Sequence, residues 1–432
     1  MSARDFDPHL SVERITHAKD GDYCIKQIEI EYIRRKIETP YKVLVGSGIN
    51  DQDANSILKA SLRPILEYQK FVSDIRSWIS LYRLLTEAGP ERVHGLDSFF
   101  SIKKKMWNSA LTTVSLVFPR NPFNEFSTVI KGEKKIFPGF DENSYICLLD
   151  YIHSASKAFV LCPDIRLEKR EDINVTQYLS FIDQSIQILM DRNNRPIFAP
   201  VHIELSKNNL ETILSHYRHQ HYANIWVNFD AKSCHSTYSS RLKTIVHLID
   251  KILGDLNVTL YFSHIKKEIL PNIQQEKAAA SDILTQFYGA DFIGTDREPW
   301  RRPNIDWNND DSLRELASTH NFKSKEEYLE AHILHKHRIF DPDSYYYMNL
   351  DHYPQKLPIP SDILLKNNAI YQFLNSALMQ NEVERTKQTI GEPESVKKYL
   401  EEKAAIRENP EILNNIIIPS KQPNLVDFLG NL

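Results

Sequence analysis

Ile197-Phe198-Ala199-Pro200-Val201-His202-Ile203-Glu204, with Ser206, Leu210, Ile213, Leu214 and Tyr217 after it, is the stretch on which the fold turns. A short apolar run with no polar alternation reads as a strand buried on both faces. Ser206 then offers an N-cap, and the next apolar residues recur at helical spacing. This is one βα unit, and the pattern repeats on both sides of it. Ala158-Phe159-Val160-Leu161 precedes a stripe through Val175, Tyr178, Leu179, Ile182, Ile186, Leu189 and Met190. Ile225-Trp226-Val227 precedes Leu242, Ile245, Val246, Ile249, Ile252 and Leu253, and Val258 to Phe262 precedes the segment from Ala278 to Phe287. Phe292-Ile293 opens a fifth run. Successive strands lie roughly 30 residues apart, the size of a βα repeat. No GxGxxG opens the first unit, so a (β/α)8 barrel in the α/β class is expected rather than a doubly wound sheet.

Residues 1–22 read as a tail, and residues 23–300 as the barrel, entered by an N-terminal hairpin over Ile25 to Ile33 that leads to Val43-Leu44-Val45. Residues 52–85 read as helical. Residues 86–145, with Pro119, Pro122 and Pro138, read as an insertion, and residues 301–432 as a mostly helical C-terminal extension. Within it, Asn381 to Glu408 is charge-rich and reads as a solvated helix facing a second copy or a partner protein.

Composition narrows the class. The chain has 432 residues, 53 basic against 57 acidic, for a net charge of −4, and only 12 glycines. Such apolar and aromatic content excludes a disordered chain. No run of about 18 apolar residues exists, so no membrane partner is expected. The start MSARDFDPHL has no secretory pattern, and the 4 cysteines form no CxxC pair, which makes a cytoplasmic protein the expectation. Nucleic-acid binding would need a local patch. Arg297, Trp300, Arg301 and Arg302, with Trp307 beyond, form the best one, and Lys103-Lys104-Lys105 beside Trp107 a second.

All five readable strands end in polar residues: Cys162-Pro163-Asp164, His202-Ile203-Glu204, Asn228-Phe229-Asp230, Ser263-His264 and Gly294-Thr295-Asp296. Barrel chemistry sits at these ends. Two chemistries fit. In one, a carboxylate attacks a sugar C1′ while a second acid protonates the departing base. In the other, His202, Glu204, Asp230 and His264 hold a metal for hydrolysis or isomerisation. A non-catalytic barrel is the third expectation.

Several segments together resemble the tRNA-guanine transglycosylase superfamily. Lys36-Ile37-Glu38-Thr39-Pro40 resembles its hairpin-to-strand junction, Leu96-Asp97-Ser98-Phe99-Phe100 its DSGGFQ loop, and Ala158 to Asp164 its base-recognising strand. Val201-His202 stands at its Val-Gln, and Gly289-Ala290-Asp291-Phe292-Ile293 resembles its nucleophile strand. The resemblance implies a (β/α)8 enzyme exchanging guanine for a 7-deazaguanine base in nucleic acid. Asp97 would be a proton donor and Asp296 the nucleophile. Asp164 and His202, with Asn228, Asp230 and His264, would bind the base. The chain departs from the family at Phe99-Phe100, at Asn228-Phe229-Asp230, at Gly294 in the nucleophile's place, and in having no cysteine after Cys234 for the family's zinc site. These departures point to the branch that modifies DNA rather than tRNA. Ile339-Phe340-Asp341 with Ser344-Tyr345 resembles the archaeal nucleophile motif and makes Asp341 a rival nucleophile. His332, His335 and His337 are the candidate zinc ligands, and Arg338 joins the candidate nucleic-acid contacts.

Overall fold

Eight parallel strands close on themselves in the computed structural model. Strand one (Tyr41–Lys42 and Leu44–Val45) pairs with two (Ile65–Phe71), and two with three (Leu111–Phe118). Three pairs with four (Val160–Leu161 and Asp164–Ile165), and four with five (Ile197–His202). Six (Asn224–Asn228), seven (Thr259–Ser263) and eight (Phe292–Ile293) follow in order, and eight returns to one. This is the expected (β/α)8 barrel. The structure describes residues 9–18, 20–58, 63–86, 89–103, 110–130, 133–167, 173–192, 194–254, 257–269, 276–297, 326–327, 330, 337–390 and 396–417.

The apolar runs of the sequence are strands because each residue has a face to fill. Along strand six, Ile225 and Val227 belong to the outer core under the helices, while Trp226 belongs to the inner core on the axis. The inner core is aromatic. Phe159 lies 5.0 Å from Phe198, 5.1 Å from Phe292 and 5.4 Å from Tyr261, ring centre to ring centre. Such tilted and edge-on contacts add to the ~1.5–3 kcal/mol that burying each large apolar side chain contributes.

Helices follow three of the strands as the spacing predicts, whereas the segment from Ala278 to Phe287 forms the strand Lys277–Ala279 and a 3-10 helix, Asp282–Tyr288, instead. Val175–Met190 buries Tyr178, Phe181, Ile182, Ile186 and Leu189. Lys207–Gln220 starts at Ser206, whose side chain accepts from the Asn209 N–H. A three-stranded antiparallel sheet (Leu10–His17, Cys24–Ile30, Arg35–Thr39) plugs the N-terminal end of the barrel. Its Leu10, Ile28, Ile30 and Ile37 join the inner core. Asp291 ties it down, taking Lys26 Nζ at 2.7 Å and the Leu260 N–H at 2.8 Å on one carboxylate oxygen.

Four further expectations change. The supposed tail supplies the first strand of this plug. The supposedly helical stretch 52–85 holds strand two, whose Glu67, Gln69 and Lys70 hid it. The supposed insertion 86–145 holds strand three; the inserted part is the hairpin Phe126–Ile130 with Glu133–Phe137. The C-terminal extension supplies the helix Asn368–Ile390, which packs on strand one and on the short helix Asp51–Ile57. It is not a solvated face. Glu382 is buried with Tyr399 and Lys403 Nζ on it, the latter at 2.8 Å, and the buried Lys387 reaches the Glu38 carbonyl at 2.9 Å.

Candidate active site

Above the aromatic layer the barrel interior turns polar. On strand two, Ile65 joins the aromatic layer, and two residues on the same face carries Glu67. Its carboxylate is fully buried and takes three donors at 2.6 Å: Ser115 Oγ from strand three, Tyr261 Oη from strand seven, and the backbone N–H of Thr295 after strand eight. Ser115 Oγ also lies 3.0 Å from His264 Nε2. A serine hydroxyl has one proton, and here Glu67 receives it, so His264 Nε2 donates. His264 Nδ1 lies 2.9 Å from Asn228 Oδ1, and the Asp230 N–H reaches the same oxygen at 3.1 Å, which fixes the amide orientation. Both ring nitrogens thus face an acceptor. Asn228 Nδ2 then donates to Asp164 Oδ2 at 2.6 Å, and Tyr178 Oη donates to Asp164 Oδ1 at 2.9 Å. One unbroken chain of hydrogen bonds runs from Glu67 to Asp164 across the barrel.

The two ends of this chain are tuned apart. Burial pushes Glu67 up, but the His264 ring and the Ser115 and Tyr261 hydroxyls outweigh it, and its carboxyl ends below the usual range. At Asp164 burial dominates, and the carboxyl stays above the usual range despite His202, Asn228, Ile165 and Tyr178. His202, also fully buried, is lowered by burial. Its Nδ1 accepts the Glu204 N–H at 3.1 Å, which leaves the proton of the neutral ring on Nε2. That Nε2 has no hydrogen-bond partner among the described residues and lies 3.9 Å from Asp230 Oδ2. Asp230 is held by Arg166 Nε at 3.0 Å and by Arg297. Asp230 and His264 adopt φ of 41° and 60°, left-handed values that strain a non-glycine backbone at these strand ends.

Gly294 explains the missing strand-eight nucleophile. A Cβ there would stand 2.5 Å from Glu67 Oε2 and from Ser263 Cβ, and 2.6 Å from Tyr261 Oη. The Glu67 carboxylate fills the space that a side chain at 294 would need. Asp296 is half-buried, with its carbonyl accepting from Gln69 Nε2 at 3.0 Å. Behind strands eight and one, buried Lys42 bonds the Gly294 carbonyl, and buried Asp282 accepts from Tyr347 Oη at 2.7 Å. Burial first, then the Asp296 charge, push the Asp282 carboxyl up to about 7.

The structure thus brings Asp164, His202, Asn228, Asp230, His264 and Arg297 together, with Asp296 at the strand-eight end. Other expected site residues fall elsewhere. Asp97 ends a helix in the outer layer, where Tyr151 Oη donates to it at 2.7 Å, so it is not at the mouth. Asp341 shapes a hairpin turn between Ile339–Asp341 and Tyr346–Met348, taking the Ser344 N–H at 3.2 Å along with its hydroxyl, and is not a free nucleophile. Arg338 is fully buried on Glu268 at 2.9 Å and Asn349 at 3.0 Å, so it contacts no nucleic acid. His337 is buried with its ring 5.0 Å from that of Tyr371. His332, His335, Trp300, Arg301, Arg302, Trp307, Lys104, Lys105 and Trp107 lie outside the described residues.

Among the described residues no three His, Cys, Asp or Glu side chains gather as metal ligands. The expected set is spent otherwise: both His264 ring nitrogens face acceptors, Glu204 takes Arg241 at 2.7 Å and the Tyr238 hydroxyl, and Asp230 takes two arginines. Glu67, Ser115, Gln69, Arg166, Lys42 and Asp282 were not foreseen. The one available signal was Glu67 and Gln69 on the same face as Ile65 and Phe71.

No family model and no curated protein matches the sequence. Solved structures similar to it include an engineered protein, at 9% identity over 59% of this chain and 63% of that one, with a TM-score of 0.34. The chain therefore spans less than two thirds of that protein. An endo-β-1,4-mannanase from Cellulomonas fimi aligns at 8% identity over 64% of this chain and 69% of its own, TM-score 0.32. A β-mannanase of glycoside hydrolase family 26 from Bacteroides ovatus aligns at 11% over 64% and 86%, TM-score 0.33. The barrel itself rests on its own strand pairings.

Proposed function

We propose that this chain is a base-exchange transglycosylase that replaces guanine with a 7-deazaguanine in nucleic acid, DNA in preference to tRNA. The observation that carries the reading is Asp164, a buried carboxyl held above the usual range at one strand end, with the half-buried Asp296 at another strand end of the same barrel. Cleavage at an anomeric carbon needs an acid and a carboxylate. Asp296 attacks C1′, and the electrons of the C1′–N9 bond leave with guanine, which takes the Asp164 proton. The incoming 7-deazaguanine returns a proton to Asp164 as its nitrogen displaces Asp296. His202 Nε2–H offers the base a donor. The Glu67–His264 pair holds the mouth in one arrangement. Asp164 takes the acid role that the resemblance gave to Asp97. A base reaches such a mouth only out of the helical stack.

Labelled 7-deazaguanine should enter DNA, and less of it tRNA. Asp164→Asn should slow incorporation by about 10²–10⁴-fold. Asp296→Ala should abolish both incorporation and a covalent protein–DNA adduct on a denaturing gel. Undiminished incorporation by both variants, or none by the unaltered protein, sinks the reading.

A further inference from the structure

We propose that Arg166 and Arg297 form a phosphate-binding clamp that Asp230 occupies in the absence of substrate, so that a backbone phosphate opens the mouth by displacing this carboxylate. The proposal rests on the reading above only in taking the phosphate to be that of a nucleic acid.

The geometry is that of a two-oxygen anion between two guanidiniums. Asp230 Oδ2 takes Arg166 Nε at 3.0 Å, and Oδ1 takes Arg297. The two non-bridging oxygens of a phosphodiester offer the same pair of acceptors, and arginine matches them well. The Arg166 side chain is 50% exposed, so solvent-borne ligand reaches it, whereas Asp230 is 4% exposed. The buried His202 Nε2, without a hydrogen-bond partner among the described residues, lies 3.9 Å from Asp230 Oδ2, so departure of this carboxylate leaves its N–H to the base.

Displacement would also uncover the polar layer. The Arg297 guanidinium lies 3.4 Å over the Phe71 ring, and that ring lies edge-on to His264 at 4.5 Å. Arg297 thus spans the mouth from strand two to strand six. The backbone is poised to yield, because Asp230 and Ala231 are consecutive non-glycine residues with φ of 41° and 62°. Releasing both from the left-handed region offsets part of the cost of parting the ion pairs.

The test is binding of a short single-stranded DNA with phosphodiester linkages, and of the same sequence with uncharged methylphosphonate linkages, by fluorescence anisotropy over a salt series. Arg166→Ala and Arg297→Ala should each weaken phosphodiester binding about tenfold and reduce its salt slope by about one, leaving methylphosphonate binding unchanged. Asp230→Asn, which suits the left-handed backbone, should tighten phosphodiester binding. Arg166→Lys and Arg297→Lys should retain most of the salt slope, which separates lost charge from lost folding. Equal binding of the two oligonucleotides, or weakening by Asp230→Asn, overturns the proposal. Base exchange is not read in this assay, so a chain that clamps phosphate without exchanging bases upholds the clamp and sinks the reaction.

Discussion

The barrel interior holds two layers built from the same strands, two residues apart. Ile65 lies below Glu67, Trp226 below Asn228, and Phe292 below Gly294. The lower layer is aromatic and sealed by the antiparallel plug. Its rings satisfy one another by shape and contact. The upper layer is polar, and its hydrogen bonds form one connected set. Non-directional packing can be replaced by other packing of similar volume. A buried polar network responds differently, because removing one member leaves the charges and donors of its partners unpaired. One barrel therefore carries stability by volume at one end and by charge at the other.

Truncation should hurt both layers alike, and isosteric change should separate them. Phe198→Ala and Glu67→Ala are each expected to lower the stability read by urea unfolding by about 3–5 kcal/mol. Phe198→Leu should recover most of its loss. Glu67→Gln should recover little, since its amide nitrogen would face a donor where the carboxylate accepts from Ser115, Tyr261 and Thr295. Full recovery by Glu67→Gln would show that the upper layer, too, is held by shape.

A smaller effect is expected from Asp282, behind the barrel. Its carboxyl is pushed up to about 7, while the unfolded chain titrates near 4. Between those values the native state holds a proton that the unfolded state has lost. Its contribution is complete below about pH 4 and is lost as pH rises through about 7. Asp282→Asn should remove up to about 4 kcal/mol of that decline, read by urea unfolding across the window. An unchanged pH slope would mean that Lys42 and the buried Lys267, whose charges both lower the Asp282 carboxyl, neutralise the site.

The smallest effect tests the close packing within the upper layer. Gly294→Ala would push a methyl against Glu67, Ser263 and Tyr261, and should cost about 1–3 kcal/mol. Pairing it with Glu67→Ala should relieve much of that cost, because the clash is with the missing carboxylate. Simple additivity in this double-mutant cycle would place the strain elsewhere.

The central strands were legible because burial on both faces leaves an unbroken apolar run in the sequence. Strand two was not, because its inward face is half in the polar layer. Glu67, Gln69 and Lys70 broke the run that marks its neighbours. Strand three, Leu111–Phe118, was obscured by the prolines after it. In the C-terminal region charge does not mean exposure: Glu382 and Lys403 are buried as a pair, and Lys387 is buried with its Nζ on the Glu38 carbonyl. A charged side chain carries no mark in sequence of whether its counter-charge lies in solvent or in another segment.

Local sequence alone specifies the parallel strands from Ala158 to Ile293, the helices after the first three of them, and the polar character of each strand's end. These follow from local period and from one side chain's preference for water or oil. The tertiary structure alone decided which polar residues share a site. It joined Glu67 to His264, 197 positions apart in the chain, set Asp97 and Asp341 aside, and filled the place of a strand-eight side chain with the Glu67 carboxylate. Closure of the barrel brings distant strand ends within hydrogen-bond reach, and residue spacing along the chain holds no record of that distance.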